Sequence, residues 1–223
     1  MSNILVTGSG KGLGAALVTA LKAAGHVVHE YDIKQGHDVT APNLAGIDRL
    51  DALINNAGIN IINWLESFKE WQWDEVMDVN AKGIFMMTQA CLPLLAESKG
   101  TVVNIVSNAA HMPMTCSLAY NASKGAAHIM TLQLARELTK KHDITVFGVA
   151  PNKLAGTGMS HSIDEQVVQT RGWTKEFAQQ YQLNGLLCGE ETPPAAVAEF
   201  VAFLLQDKAH HKHLTGCILP YGA

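Results

Sequence analysis

Residues 4–14 read Ile4-Leu-Val-Thr7-Gly8-Ser-Gly-Lys11-Gly12-Leu13-Gly14, a short apolar run followed by a glycine-rich turn. The next segment, Ala15 to Ala24, has apolar residues at helical spacing, and Gly25 follows it as a helix-ending residue. A glycine-rich turn between a strand and a helix brings backbone N–H groups and the positive helix end to one point, which suits a pyrophosphate. The opening of the chain therefore predicts a nucleotide-binding strand–turn–helix unit.

Apolar runs typical of buried strands alternate with helical periodicity along the rest of the chain. The predicted strands lie within 26–32, 51–58, 100–107, 144–149 and 216–219, and the predicted helices are 71–97, 118–141 and 193–205. This alternation predicts an α/β fold in which a doubly wound, mostly parallel sheet lies between two layers of helices. One domain, 1–223, accounts for the whole length.

Several polar or glycine-rich segments directly follow predicted strands. Ligands of doubly wound sheets bind outside the carboxyl ends of the strands. We therefore expect these segments to share one rim of the sheet: 8–14, Asp32, Asn56, Ser107 and Pro151.

The connection after the second predicted strand is unusually short. A crossover to a parallel strand needs about a dozen residues, and the few residues between Asp32 and the pair Asp38-Val39 do not provide them. The sequence predicts a rudimentary third strand here and no full helix over 40–50.

The stretch from Ser107 to Lys124 carries the candidate chemistry. Tyr120 and Lys124 are four residues apart in a predicted helix, so their side chains share one face. A free tyrosine ionises near pH ~10, and an ammonium close to the phenol lowers its pKa. The Ser107 hydroxyl can polarise a substrate carbonyl while Tyr120 gives or takes the proton. A Tyr–Lys pair at this spacing also occurs by chance on many helices, so the pair alone does not establish an enzyme.

Taken together, the motifs resemble those of the short-chain dehydrogenase/reductase family over nearly the whole chain. Thr7-Gly8-x-x-x-Gly12-x-Gly14 is similar to its cofactor turn, Asn55-Asn56-Ala57-Gly58 to its N-N-A-G motif, and Asn80, Ser107, Tyr120 and Lys124 to its catalytic tetrad. The resemblance implies a Rossmann-like fold and an oxidoreductase that transfers a hydride between NAD(P) and a secondary alcohol or ketone.

The resemblance also assigns a role to each member of the tetrad. It implies that Tyr120 is the general acid/base and that Lys124 lowers its pKa and holds the nicotinamide ribose. It further implies that Ser107 positions the substrate oxygen and that Asn80 anchors a water for proton relay.

The cofactor set is the largest group of residues that the resemblance implies. Asp32 favours NAD over NADP, because a carboxylate at this position accepts both ribose hydroxyls and repels a 2′-phosphate, while Lys11 weakly favours the opposite choice. The expected cofactor-binding residues are Gly8, Lys11, Gly12, Leu13, Gly14, Asp32, Asp38, Val39, Asn56, Ala57, Gly58, Tyr120, Lys124, Pro151 and Leu154. Two departures leave the nicotinamide contacts open: Asn152 replaces the family's glycine, and the following threonine is displaced to Thr157.

The long segment 152–191 predicts a substrate lid within the single domain. The expected substrate contacts are Ser107, Tyr120 and His111, and the loop and lid offer Met112, Met114, Cys116, His161 and Trp173 as further neighbours. For each of these loop residues, packing without substrate contact is an equally good interpretation.

Composition excludes some classes of partner. A net charge of −4 and a pI near 6.2 give no basic surface for nucleic acid, and no apolar run is long enough to span a membrane.

We expect a cytoplasmic protein, because the N-terminus has no signal-peptide pattern and the four cysteines have no C-x-x-C spacing. The histidines at 210, 211 and 213 are expected to form a solvated helix end, and no metal site is predicted.

Two alternatives to a dehydrogenase remain at this level. One is a catalytically idle nucleotide-binding regulator on the same fold, which the presence of Tyr120 and Lys124 disfavours. The other is an epimerase-type relative, whose larger substrate domain does not fit 223 residues. In the favoured interpretation the protein is a homodimer or homotetramer, joined through the helices of 71–97 and 118–141, as the resemblance implies.

Overall fold

The structure, a computed structural model, describes residues 1–222, apart from the side chain of His210. Its sheet has the strand order β2-β1-β3-β4-β5-β6, and every neighbouring pair within it is parallel. The strands are β1 Asn3–Thr7, β2 Val27–Tyr31, β3 Ala52–Asn55, β4 Thr101–Ile105, β5 Thr145–Pro151 and β6 Ile218–Tyr221. The doubly wound α/β architecture predicted from the sequence is confirmed, and the strand order reverses direction between β1 and β3.

Helices connect the strands and cover both faces of the sheet. They are α1 Gly12–Ala23, α2 Glu70–Met77, α3 Gly83–Ser98, α4 Leu118–His142, α5 Gly158–Arg171, α6 Lys175–Asn184, α7 Pro194–Gln206 and α8 Lys208–His211. Across the part of the chain that the structure describes, no helix combines the length and the apolar character needed to cross a membrane.

Two apolar cores lie on opposite faces of the sheet because alternate strand residues point to opposite sides. On one face, Ile4 and Val6 of β1 pack with α1 and α7. On the other face, Leu5 of β1 packs with Met87 of α3 and Leu138 of α4. The continuous apolar character of the strands follows from this burial on both sides, as is usual for parallel sheets.

The segment after β2 forms neither a strand nor a full helix. The rudimentary third strand predicted near Asp38 is wrong: only a short 3₁₀ turn, Ile33–Gln35, interrupts the loop. The buried phenol of Tyr31 organises this loop instead, since it accepts a hydrogen bond from Asn43 N (2.9 Å) and donates to Asp38 O (3.3 Å).

The region predicted as one helix over 71–97 is interrupted in its middle. A π-helical segment, Asp78–Lys82, separates α2 from α3 and has the buried Asn80 at its centre. Such π-bulges often occur at functional sites, because they redirect one side chain out of the regular helical pattern.

His211 does not belong to a solvated helix end, so that prediction is wrong for this residue. Its ring is buried, with Nδ1 2.9 Å from Leu204 O and Nε2 2.9 Å from Thr101 Oγ1. A carbonyl oxygen only accepts, so Nδ1 carries the proton and Nε2 accepts from the threonine hydroxyl. His213 is exposed, and the side chain of His210 lies outside the described part of the chain.

Acidification should destabilise the fold through this ring. Burial lowers the pKa of His211 below its ordinary value, so the unfolded chain binds the proton first as the pH falls through about 6.5. The unfolding midpoint in urea should therefore fall between about pH 7.5 and about pH 5.5. The fall should be smaller in a His211→Gln variant, and in His213→Gln it should equal that of the wild type. An equal fall in the wild type and both variants would rule out a contribution from His211.

Candidate active site

A single cleft of about 850 Å³ follows the carboxyl ends of strands β1 to β5. All of the expected cofactor-binding residues line it: Gly8, Lys11, Gly12, Leu13, Gly14, Asp32, Asp38, Val39, Asn56, Ala57, Gly58, Tyr120, Lys124, Pro151 and Leu154. The fold therefore brings together residues that are up to 146 positions apart in the sequence, from Gly8 to Leu154. Their individual roles stay predictions.

The glycine turn is packed too tightly to accept side chains. Gly8 has a φ of +63°, and a Cβ there would lie 2.8 Å from Ala57 Cα. A Cβ on Gly14 would collide with the carbonyl oxygen of Gly8 and would lie 2.8 Å from Asn56 Nδ2. Asn56 holds the turn, because its side-chain amide donates to Thr7 O (2.9 Å) and Gly8 O (3.1 Å). The result is an open backbone surface at the start of α1 that fits a dinucleotide diphosphate.

Asp32 lies at the end of β2 with its carboxylate fixed by two backbone groups. Oδ2 accepts from Gly10 N (2.8 Å) and Oδ1 accepts from Lys34 N (3.0 Å), and the residue is buried. A carboxylate offers about four lone-pair positions, so two remain for ligand hydroxyls. Gly10 was missed at the sequence level; a Cβ there would lie 2.9 Å from the Asp32 carboxylate, and its signal is the second glycine of the turn.

Ser107 and Tyr120 meet at the end of β4. The Ser107 hydroxyl accepts from Ala109 N (3.1 Å) and lies beside the Tyr120 phenol. Burial raises the pKa of Tyr120 above its ordinary value, and the neighbouring Ser107 hydroxyl opposes this shift only in part. The phenol is therefore protonated at neutral pH in the protein alone.

Lys124 lies one helical turn from Tyr120 and is almost entirely buried. Its Nζ lies 5.7 Å from the centroid of the Tyr120 ring and donates to Ile105 O (3.0 Å). Burial lowers the pKa of this ammonium to about 8. The expected lowering of the Tyr120 pKa by Lys124 is thus not seen in the protein alone, where burial raises the pKa of Tyr120.

Asn80 is fully buried in the π-helical segment. Its Nδ2 donates to Ile59 O (2.9 Å) and to Ser123 Oγ (2.9 Å), and its Oδ1 accepts from Ile59 N (2.8 Å). Both amide hydrogens are used within the protein, and they fix the loop after β3 against the start of α4. The water relay that the resemblance implies for Asn80 stays a prediction.

The expected substrate contact of His111 is not supported. His111 is exposed, does not line the cleft, and packs edge-on against His128 with 4.4 Å between the ring centroids. Its neighbours Met112 and Met114 do line the cleft, whereas Cys116, His161 and Trp173 do not. The short loop after Ser107 turns back at this point, and the sequence alone does not reveal which of its side chains face inward.

The lid predicted over 152–191 contains α5 and α6, which close one side of the cleft. It is tied to the body by Ile62 N donating to Gln166 Oε1 (2.8 Å) and Trp64 Nε1 donating to Thr170 O (2.9 Å). Within it, Lys153 is paired with Asp164 (2.7 Å) and Glu191 (2.8 Å).

The displaced threonine, Thr157, faces the glycine turn. Its hydroxyl accepts from Ser160 N (3.0 Å) and so caps α5, and a Cβ on Gly12 would lie 3.5 Å from the Thr157 Cβ. Asn152, which stands where the family has glycine, donates its backbone N–H to Tyr221 O (3.0 Å) and so ties the start of the lid to β6.

Several residues of the cleft carry no sequence signal. They lie in the irregular loops after β2 and β3 or in the lid, where neither periodicity nor a motif marks the inward face. They include Ile33, Lys34, His37, Thr40, Asn60, Ser160, Ile163, Val167, Arg171, Tyr181, Gln182 and Leu186.

Comparison with known proteins places these features in a family. Residues 30–168 match the family model described as short chain dehydrogenase. The chain is 30% identical to a cyclopentanol dehydrogenase of Comamonas sp. (strain NCIMB 9872) over 249 residues, covering 98% of this chain and 95% of that protein.

Solved structures give the same result. A short chain dehydrogenase family protein from Francisella tularensis superimposes with a TM-score of 0.85 at 27% identity, covering 99% of this chain and 96% of that one. A putative 2-deoxy-d-gluconate 3-dehydrogenase from Agrobacterium tumefaciens, with bound NADP, gives a TM-score of 0.82 at 28% identity, covering 99% and 94%.

The close packing of the glycine turn predicts a sharp effect of one methyl group. Gly14→Ala should weaken NADH binding by at least about 100-fold, because the new Cβ displaces the Gly8 carbonyl and the turn with it. Fluorescence titration with NADH measures this. Gly125→Ala in α4, where a Cβ meets nothing within 4 Å, is the matched control and should bind as the wild type does. Unchanged binding in Gly14→Ala would contradict the assignment of the turn.

Proposed function

Because the chain belongs to the short-chain dehydrogenase/reductase family, we propose that its cleft transfers a hydride between a nicotinamide cofactor and a secondary alcohol or ketone, with Tyr120 as the general acid/base. One observation carries this proposal. The Ser107 hydroxyl, the Tyr120 phenol and the Lys124 ammonium converge in the same cleft as the glycine turn, on the edge of the sheet where ligands of this fold bind.

Each side chain has a distinct task in this mechanism. A nicotinamide cofactor bound in the cleft would supply or accept the hydride. Ser107 donates a hydrogen bond to the substrate oxygen, where negative charge develops during ketone reduction. Tyr120 then delivers its proton to that oxygen, and in the reverse direction it takes the proton. The protonated phenol favoured by burial is the form that ketone reduction requires.

Lys124 and Asn80 support this proton transfer from behind. The Lys124 ammonium lies close enough to the Tyr120 ring to stabilise the phenolate as it forms. Asn80 reaches Tyr120 through Ser123, whose hydroxyl donates to the Tyr120 carbonyl at 2.8 Å. We assign Asn80 a positioning role in the tetrad.

An idle nucleotide-binding regulator is the weaker alternative. The tetrad side chains are all present, with Asn80, Tyr120 and Lys124 buried, and the relatives reported above are named dehydrogenases. A regulator would not need a desolvated ammonium beside a buried phenol, an arrangement that has a cost in folding free energy.

For the cofactor we propose NAD over NADP. The Asp32 carboxylate is buried at the cleft and held by Gly10 and Lys34 N–H groups, so it cannot turn away from a 2′-phosphate. The cations Lys11 and Lys34, which also line the cleft, favour NADP, and the Agrobacterium relative carries NADP. We give more weight to Asp32 because its position is fixed, whereas Lys11 is exposed.

We also propose that 152–191 acts as the substrate lid and that the protein forms a homodimer or homotetramer through α2, α3 and α4. Exposed apolar side chains on these helices support the association: Trp71, Phe85, Leu118 and Ile129 are 61%, 48%, 48% and 60% exposed. Light scattering at micromolar concentration tests this association, and a monomeric mass would contradict it.

The cytoplasmic location stays a prediction that cell fractionation can check. The four cysteines are free thiols in the structure.

Tyr120→Phe tests the proposed function directly. The variant removes only the phenolic oxygen, so ketone reduction should fall by at least about 1,000-fold while NADH still binds. Turnover is followed by the absorbance of NADH with a panel of ketones, and binding by fluorescence. Tyr221→Phe, outside the cleft lining, is the matched control. Turnover of Tyr120→Phe at the wild-type rate would be decisive against the mechanism.

Asp32→Ala tests the choice of cofactor. Without the carboxylate, kcat/KM for NADPH should rise relative to that for NADH by about 10-fold or more, because a charge repulsion is lost. Asp48→Ala removes the same charge at an exposed position outside the cleft and should leave the ratio unchanged. If the ratio does not move in Asp32→Ala, the preference for NAD has another source.

A further inference from the structure

Arg171, the last residue of α5, is a cation without a counter-ion in the cleft. It is partly buried and lines the cleft, and no carboxylate within residues 1–222 forms an ion pair with it. Lys153, a second lid cation that lines the cleft, is paired with two carboxylates. Proteins rarely leave a partly buried charge unpaired, since desolvation is costly without a partner.

The guanidinium group is nevertheless held in a defined orientation. One Nη2 hydrogen bond reaches Thr115 O at 2.6 Å, and the guanidinium carbon lies 4.8 Å from the centroid of the Trp173 ring. The preceding residue, Thr170, accepts a hydrogen bond from Trp64 Nε1, which fixes the end of the helix. Because Arg171 stacks on an aromatic ring at a fixed helix end, its side chain loses less conformational entropy when it binds a ligand.

Most of the donors of Arg171 are not used by the protein. A guanidinium has five N–H donors in a planar fork, and the described part of the chain accepts one hydrogen bond from it. Nε is shut off from solvent and has no partner among residues 1–222. Because Nε is closed off, the donors open to a ligand are the remaining Nη hydrogens, and these match the oxygens of a carboxylate or phosphate.

Its surroundings place Arg171 on the substrate side of the cleft. Thr115, its hydrogen-bond acceptor, belongs to the loop that runs from Ser107 to Tyr120. The glycine turn lies instead beside Thr157, at the opposite end of α5 from Arg171. The cleft walls beside Arg171 are largely apolar, with Met114 and Val167 among them, so an ion pair here is less screened than in water.

We propose that Arg171 binds an anionic group of the substrate, a carboxylate or a phosphate, separated from the reacting carbon by an apolar segment. This inference rests on the proposed function, because it assigns one end of the substrate whose other end reacts at Tyr120. Arg171 then determines specificity: it holds the anion, the apolar walls accept the spacer, and Ser107 receives the carbonyl oxygen.

Pairs of ketones with and without an anionic group provide the test. The probes are 4-oxopentanoate, 5-oxohexanoate and 7-oxooctanoate, each against its primary amide, and the phosphate ester of 6-hydroxy-2-hexanone against 6-hydroxy-2-hexanone. In at least one pair, the anionic ketone should have a kcat/KM about 10- to 100-fold higher than that of its neutral partner. If this preference is found only with the carboxylates or only with the phosphate, it identifies the anion that Arg171 binds.

Three variants separate anion binding from a structural role of Arg171. Arg171→Met should abolish the preference for the anion while the neutral partner keeps its rate within about threefold. Arg171→Lys should restore part of the preference, because a point charge remains without the planar fork. Arg136→Met removes the same charge from an exposed site on α4 and should behave as the wild type.

The outcomes also distinguish this inference from the proposed function. Equal loss of activity toward charged and neutral partners in Arg171→Met would mean that Arg171 only holds the lid, and the inference would be wrong. Reduction of neutral ketones by the wild type without any preference for anions would overturn it as well, and would leave the proposed function intact. No reduction of any probe, with NADH bound, would overturn both.

Discussion

The side-chain amide of Asn80 joins the three segments that form the reacting end of the cleft. It bonds both backbone groups of Ile59 in the loop after β3, and through Ser123 it reaches the carbonyl of Tyr120 at the start of α4. A regular α-helix from α2 into α3 would place this residue differently, so the π-helical segment is what makes the connection possible. Because the amide is fully buried, these bonds are not weakened by competing water.

A second set of buried hydrogen bonds joins α4 to the sheet. Asn55 of β3 donates to Asn104 of β4, whose own amide donates to Thr131 of α4, at 2.9 Å each. Such a network has a low tolerance for displacement, because a buried amide that loses its partner is costly. The catalytic helix is therefore fixed to the sheet by directional bonds in addition to apolar packing. Precise placement of acid and hydride acceptor depends on this rigidity.

The sequence predicted the parts of the molecule in which local chemistry and overall fold agree. The glycine turn, the strand ends and the Tyr120–Lys124 spacing each have a signature within a few residues, and the parallel sheet brings them together. The failures fall where long-range contacts decide. The ring of His211 is buried against Thr101, its hydrogen-bond partner 110 positions away. The contact of His111 with His128, outside the cleft lining, is likewise not visible in the sequence. The lid side chains, Arg171 among them, have no periodic signal, and the pKa of Tyr120 follows from burial that the sequence does not show.

The loop that Tyr31 organises adds no strand beside β2, which therefore lies at the edge of the sheet. With no strand beyond it in the described chain, β2 is an edge strand, and its outer N–H and C=O groups offer a template for unwanted pairing with another molecule. The strand counters this hazard by being only five residues long and by carrying Glu30, whose carboxylate is paired with Lys22. The short length of β2 and its charged side chain thus disfavour aggregation at this edge of the sheet.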